Sequence, residues 1–284
     1  MDFDLSQLTV PFRMQPGLRR VTAAGLRLTP LNPGSAMYAE KLHVMHLRQA
    51  RHAVPGFDAA PALAALALHA RLSVQGQGQT NALGPGIPLE LAFEEDFAVL
   101  DGATTTVPWL CVSLPSHWAP EEVLGLSLAQ IHAPVADNAA LLAATSGLVK
   151  LISQGGYWQR YVWTLTPSPR YDQHPHRQPR TLWAETADIH EFAALCQLRV
   201  ERQGFLPVFD ADGTLLRQAV FTIRVMLQPL CQAVRTVDDA QRLHAVLASM
   251  SDAVLDYKNL RPALARLLQW LDQYPGKTRP VPQP

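Results

Sequence analysis

Two periods of hydrophobic and polar residues run through this chain. Aromatic and polar residues alternate over Tyr157–Thr166, Leu198 and Val200 alternate with Arg199, Glu201 and Gln203 over 195–203, and Phe221, Ile223, Val225 and Leu227 alternate with Thr222, Arg224 and Met226 over 218–227. A period of two places successive side chains on opposite faces of a strand, so the spacing predicts three strands. The run Asp210-Ala211-Asp212-Gly213 is a turn signal and predicts a hairpin joining the last two. A further strand is expected over 104–114, rich in Thr, Val, Trp and Cys and ended by Pro115. Helical spacing governs the flanks. Helices are predicted over 35–53 with Ser35 as N-cap, from about 58 with Leu63, Leu66, Ala67 and Ala70 recurring, and over 137–153 with Asp137 or Asn138 as cap. A short acidic helix through Glu94, Glu95 and Asp96 is expected over 89–100, and two more helices over 237–250 and 253–273. The glycine-rich stretch 75–88, the turns of 116–136 and the proline-rich 167–179 read as loops, 1–34 as an irregular lead-in, and 277–284 as a disordered tail. Helices, then a broken antiparallel strand group, then helices again define an α+β arrangement, and no Ser/Gly linker divides 1–284 into more than one domain.

Composition narrows the classes. The 24 basic and 24 acidic residues cancel, so there is no overall positive field for nucleic acid. With 48% hydrophobic and 17% charged residues the chain can build a core, yet no run approaches the roughly 18 apolar residues of a spanning helix. The acidic start Met1-Asp2-Phe3-Asp4 lacks an apolar leader, which predicts a cytoplasmic protein. Cys111, Cys196 and Cys231 are scattered and read as buried apolar residues, not as a disulfide, zinc or iron–sulfur framework. Lysine occurs only at Lys41, Lys150, Lys258 and Lys277. Arginine therefore carries nearly all the positive charge.

Three constellations could carry chemistry. The first is Pro115-Ser116-His117-Trp118 followed by Ile131-His132-Ala133-Pro134-Val135, where His132 stands among apolar residues before a proline; it suits either a metal or haem iron, or a satisfied core histidine. The second is Arg199-Val200-Glu201-Arg202-Gln203 with Phe221-Thr222-Ile223-Arg224: Arg199, Glu201 and Gln203 share a face, and pairing of the strands would let Glu201 meet Arg224, as an ion pair or as receptors for an ammonium and an anion. The third, Trp158-Gln159-Arg160-Tyr161-Val162-Trp163, sets out aromatic faces that can surround an organic cation or simply pack a sheet. His174 and His176, with His132, also admit a zinc hydrolase. There is neither a G-x-G-x-x-G nor a P-loop.

In order along the chain, Pro11-Phe12-Arg13-Met14, Glu95-Asp96, Pro115-Ser116-His117-Trp118, Ile131-His132-Ala133-Pro134-Val135, Arg160 with Trp163, Leu198-Arg199-Val200-Glu201-Arg202-Gln203 and Phe221-Thr222-Ile223-Arg224 resemble the haem-binding subunit of the haem-dependent oxidative N-demethylases, or dimethylamine monooxygenases. The resemblance implies a PAS-like antiparallel sheet with N- and C-terminal helices packed around a haem b. It also implies oxidation of a small secondary amine by O2 to a primary amine and formaldehyde. By motif, His132 corresponds to the axial metal ligand, Arg224, Arg13 and Arg160 to groups that hold the haem or brace the site, Glu201 to the group that positions the amine or relays a proton, and Tyr161 and Trp163 to substrate contacts. Because the chain shows no flavin, nicotinamide or cluster signature, the electrons are expected from a separate reductase subunit. A non-catalytic haem-binding or gas-sensing protein of the same fold is the alternative. The chain departs from the family pattern in a longer turn between Gln203 and Phe221, and in Val162, which precedes Trp163 where asparagine is usual.

Overall fold

Residues 3–74 and 86–274 are described by a computed structural model. Its strands are β1 (Arg19–Val21), β2 (Arg51–Ala53), β3 (Glu95–Asp101), β4 (Trp109–Cys111), β5 (Tyr157–Thr166), β6 (Gln197–Phe209) and β7 (Leu215–Pro229). They form one 7-stranded sheet in the order β1-β5-β6-β7-β3-β4-β2, with every neighbouring pair antiparallel. The helices are α1 (Ala36–His46), α2 (Ala60–Val74), α3 (Leu89–Ala92), α4 (Pro120–Val123), α5 (Leu128–His132), α6 (Ala139–Ser153), α7 (Ile189–Ala194), α8 (Leu230–Ala233), α9 (Val237–Ala248), α10 (Asp252–Tyr257) and α11 (Leu264–Asp272). The α+β class expected from the alternation is therefore observed.

The β6–β7 hairpin is the spine. Its turn closes because Asp210 Oδ1 accepts from the backbone N–H groups of Asp212 (3.0 Å) and Thr214 (2.8 Å), while Gly213 adopts a φ of +80° that a Cβ would disfavour. Alternation along β6 then divides the molecule. Leu198 and Val200 join Leu165 and Met226 in a core with Phe192, Leu230, Leu243 and Leu267 of α7, α8, α9 and α11. Leu206 and Val208, on that same face, join Phe97, Val99 and Val220 against Ala62, Leu66 and Ala70 of α2. The reverse face carries Phe205, Ala98, Leu100 and Ala219, packed on Val149 and Ile152 of α6. Along α6, Leu141, Thr145, Val149 and Ile152 recur at helical spacing and are buried, which seats the helix on the sheet. Arg199, Glu201 and Gln203 point to the α6 side, where β6 is polar.

Four local expectations are corrected. Residues 89–100 are not one acidic helix: α3 ends after a single turn and Glu95–Asp101 is β3, a strand between β7 and β4. The acidic side chains are tolerated there because cations from distant segments meet them. Lys41 Nζ reaches Asp96 (2.9 Å), Arg202 reaches Glu95 (2.9 Å) and Arg224 reaches Glu94 (2.7 Å). The first helix does start after Ser35, whose hydroxyl accepts from Tyr38 N, but it ends at His46, and Arg51–Ala53 is the edge strand β2. The strand expected over 104–114 is ordered as β4 only over Trp109–Cys111. The last predicted helix is two, α10 and α11, separated where Asn259 takes a left-handed φ of 55°. The loop expected over 75–88 falls mostly outside the described residues, as does the tail.

Candidate functional site

The register builds the site. Arg160 pairs with Gln203, Val162 with Glu201 and Thr164 with Arg199, so these side chains stand on the α6 side of β5 and β6. A continuous hydrogen-bonded chain runs across them. Arg160 donates through Nη1 to Pro16 O (3.3 Å) and through Nε to Gln203 Oε1 (2.6 Å), and Gln203 Nε2 donates to Glu201 Oε2 (2.7 Å). The other carboxylate oxygen, Glu201 Oε1, accepts from Ser116 Oγ, which itself accepts from Arg199 Nε (2.7 Å). Arg199 is only 1% exposed. Its remaining N–H groups donate to the carbonyls of Tyr171 (2.9 Å), Arg170 (3.3 Å) and Leu114 (3.2 Å), and burial lowers its pKa to about 10, which still leaves it charged at neutral pH. Burial pushes the amine of Lys258, just after α10, down to about 8, an effect that the Glu201 charge partly opposes.

His132 ends α5, whose Leu128 and Ile131 pack with Trp158 and Phe205 on this same face. Ser127 and Gln130 form a capping box at the start of α5, and Asn138 Nδ2 donates to the carbonyls of His132 (3.1 Å) and Ala133 (2.8 Å) at its end. His132 Nδ1 lies 2.7 Å from Leu128 O. A carbonyl only accepts, so Nδ1 carries the proton and Nε2 presents a lone pair. Among the described residues Nε2 has no hydrogen-bond partner. Burial and the nearby Arg160 charge lower the pKa of His132, against the opposing Leu128 bond, and so favour the neutral ring. A neutral imidazole with Nδ1–H anchored and Nε2 open is the donor that haem iron takes, so the residues present fit that group.

Beside Ser116 the chain forms an isolated parallel bridge, Ser116 to Gln173. His117 follows with a φ of 62°, its N–H donating to Gln173 O (3.2 Å). A cavity of about 270 Å³ opens here, lined by His117, Arg170, Asp172, Gln173, Arg180 and Tyr257, among others. His117 is exposed at the rim of this cavity, and partial desolvation of its ring there, with the charges of Arg180 and Arg199, drops its pKa to about 4. Partial burial and the charge of Glu201 raise the pKa of Tyr257.

Several expected partners lie elsewhere. Glu201 and Arg224 do not meet: Glu201 is opposite Val225, whereas Arg224 is opposite Arg202 and Glu95 and bonds Glu94. The one-residue offset puts the two side chains on opposite faces. Tyr161 and Trp163 are opposite Arg202 and Val200, away from Glu201. The Tyr161 ring meets Phe3 at a tilt (5.5 Å) beneath Arg19, and Trp163 meets Phe12 edge-on (6.2 Å). The cation over Phe12 and Trp163 is the chain's own Lys258, whose Nζ also donates to Trp163 O (2.8 Å). Arg13 is exposed in the N-terminal segment. The zinc reading fails on geometry: His174 pairs with Glu121 (3.1 Å) and His176 with Glu122 (3.0 Å), and among the described residues no three His, Cys, Asp or Glu side chains gather as a metal site. Sequence reasoning assigned no role to Ser116 or Arg199. The signal for Arg199 was its alternation with Glu201; Ser116 is 85 residues from Glu201, and only the fold joins them.

A crystal structure of a sensory box sensor histidine kinase from Vibrio cholerae is 8% identical over 60% of this chain and 98% of that chain, at a TM-score of 0.23, a likeness too slight to carry an argument. The family model described as haem-dependent oxidative N-demethylase, alpha subunit-like, matches residues 70–268. That span contains His132, Arg160, Gln203, Glu201, Ser116 and Arg199, and the chain belongs to the haem-dependent oxidative N-demethylase alpha subunit-like family.

Proposed function

We propose that the protein binds haem b through His132 Nε2 and catalyses oxidative N-demethylation of a small secondary amine, using O2 and electrons from a separate reductase subunit. The observation that carries this reading is the His132 ring itself, with Nδ1–H committed to Leu128 O and Nε2 open on the same sheet face as Glu201. Bound haem would supply the oxygen-activating redox centre that converts an N-methyl group to formaldehyde. The chain's own groups do the rest. Leu128 O fixes the His132 tautomer, and Arg160, anchored by Gln203 and Pro16 O, places a positive charge near that ring. Glu201, held at both oxygens, orients an ammonium group or takes its proton. Trp158, Phe205 and Phe221 in the adjoining core keep water from that part of the sheet. The family's designation as an alpha subunit supports a partner that delivers electrons.

Absorption spectra of the purified protein and of His132→Ala test the reading. The parent is expected to show a Soret band that the variant loses or shifts, with both proteins folded by circular dichroism. Unchanged ferric and ferrous spectra in His132→Ala would move the ligand elsewhere. Formaldehyde release with reductase, O2 and a panel of amines tests the chemistry.

A further inference from the structure

The segment that leads into β1 carries an unbalanced charge. Between Asp4 and Glu40 the chain has arginines at 13, 19, 20 and 27 and no carboxylate. Residues 12–21 run antiparallel along the outer edge of β5. The Phe12 ring meets Trp163 (6.2 Å), Pro16 O accepts from Arg160 (3.3 Å), and Arg19 and Val21 pair with Gln159 and Tyr157. Arg13, Arg19 and Arg20 stand on this outermost segment, and all three are exposed. Their Cα atoms span at most about 25 Å, because an extended chain advances about 3.5 Å per residue. Among the described residues none of the three has an ion-pair partner, whereas Arg202 and Arg224 face Glu95 and Glu94. The carboxylates that bound the segment are engaged elsewhere: Asp4 with Arg235 (2.9 Å), Glu40 with the N–H groups of Tyr171 (3.3 Å) and Asp172 (2.6 Å). The edge is a local positive field on a chain whose charges cancel overall.

The same edge adjoins the elements that carry His132. Leu18, between Pro16 and Arg19, packs into the hydrophobic cluster that also takes Trp158 of β5 and Leu128 and Ile131 of α5. A Cβ on Gly156 would stand 3.8 Å from Arg20 Nε and 3.6 Å from Trp158 Nε1, so Arg20 lies beside that indole. Arg160, whose charge His132 feels, is anchored on Pro16 O. An electron donor must come close to the iron it reduces, and this surface offers that approach together with a sign of charge. Transient redox encounters bury little surface, under about 1,200 Å², and are steered by charge instead of being held by a large apolar face.

We infer that the edge formed by residues 13–20 docks an acidic electron-transfer protein, whose carboxylates meet Arg13, Arg19 and Arg20. The inference rests on the haem-enzyme reading above and says where its electron-donating subunit binds. Each encounter oxidises the partner by one electron and reduces the haem iron by one, with no bond made or broken.

Flavodoxin, a small acidic one-electron carrier, serves as the probe. Fluorescence anisotropy follows binding of labelled oxidised flavodoxin to the full chain as isolated, and anaerobic stopped flow follows haem reduction by the reduced form. Both are run from about 0.02 to about 0.5 M salt, over which exposed charges become screened. The double variant Arg19→Gln, Arg20→Gln is compared with Arg170→Gln, Arg180→Gln, which removes the same charge from another exposed site. Binding is expected at low salt only. The Arg19, Arg20 variant is expected to lower the reduction rate by about tenfold, since steering is worth about 10–10³ in association rate. Its rate with photoreduced 5-deazariboflavin, a neutral small reductant, stays that of the parent, and the Arg170, Arg180 variant behaves as the parent throughout. Absence of flavodoxin binding at low salt overturns the inference, as does an equal loss in both variants, which would reflect net charge alone. Binding of phosphatidylserine vesicles that the Arg19, Arg20 variant abolishes, with no binding of flavodoxin, overturns it by giving the edge to a lipid surface. A colourless protein that binds flavodoxin through Arg19 and Arg20 sinks the haem reading alone. A haem protein reduced equally fast in parent and variant sinks the docking surface alone.

Discussion

Glu201 shows how much of a site can depend on residues that carry no chemistry themselves. Its carboxylate is pinned by Gln203 on one side and, through Ser116, by the buried Arg199 on the other. Ser116→Ala deletes the joint and leaves Arg199 Nε a buried donor without an acceptor, so the variant should lose about 1–3 kcal/mol in urea unfolding. A change below a few tenths of that would mean water replaces the hydroxyl. His117 makes a pH prediction. Its folded pKa of about 4 lies below the ordinary 6.5, so the ring is neutral in both states at high pH; as pH falls through 6.5 the unfolded chain gains a proton that the native one refuses until about 4. Stability from this group therefore declines across that window. His117→Asn, which keeps a side chain suited to the left-handed backbone, should flatten the decline in urea midpoint between about pH 7.5 and about pH 4.5. An equally steep decline in the variant would assign it to other groups.

At the level of elements, β6 carries two functions on two faces. Even-numbered residues build the cores against the C-terminal helices and α2, and odd-numbered ones build the polar chain. Gly204 sits where β6 is most crowded: a Cβ there would run into Leu26 and lie 2.7 Å from Thr222 Oγ1. Gly204→Ala is expected to cost about 1–3 kcal/mol or more by overpacking, read as a lower thermal midpoint, and a neutral result would show that Leu26 yields freely. The sharing of a face by Arg199, Glu201 and Gln203 was legible, because a two-residue period is geometry. The pairing of Glu201 with Arg224 was not, since register depends on where the Asp210–Gly213 turn falls and a shift of one residue reverses a face. Glu94, Glu95 and Asp96 misled for a related reason: acidic residues in an apolar run look like the solvent side of a helix until Lys41, Arg202 and Arg224 arrive from elsewhere.

Across the whole molecule, a buried ion pair ties α1 to the sheet. Lys41 on α1 is fully buried and donates to Phe93 O, Glu95 O and Asp96, while Asp96 also accepts from Leu114 N in the segment that follows β4. Lys41→Met leaves that carboxylate without its cation and should destabilise the fold by about 3–5 kcal/mol, whereas adding Asp96→Asn should restore part of the loss. If the double variant is no more stable than the single one, the pair is not what holds α1. The sequence by itself determined the α+β class, the β5, β6 and β7 strands and the hairpin between the last two, because alternation and turn chemistry are properties of neighbouring residues. Tertiary structure alone decided that Glu201 answers to Ser116 and Arg199, that Arg224, Tyr161 and Trp163 face away from it, and that Arg170, Gln173 and Arg180 meet around one cavity. Those outcomes depend on register and on contacts between distant segments, and neither has a local signature in the chain.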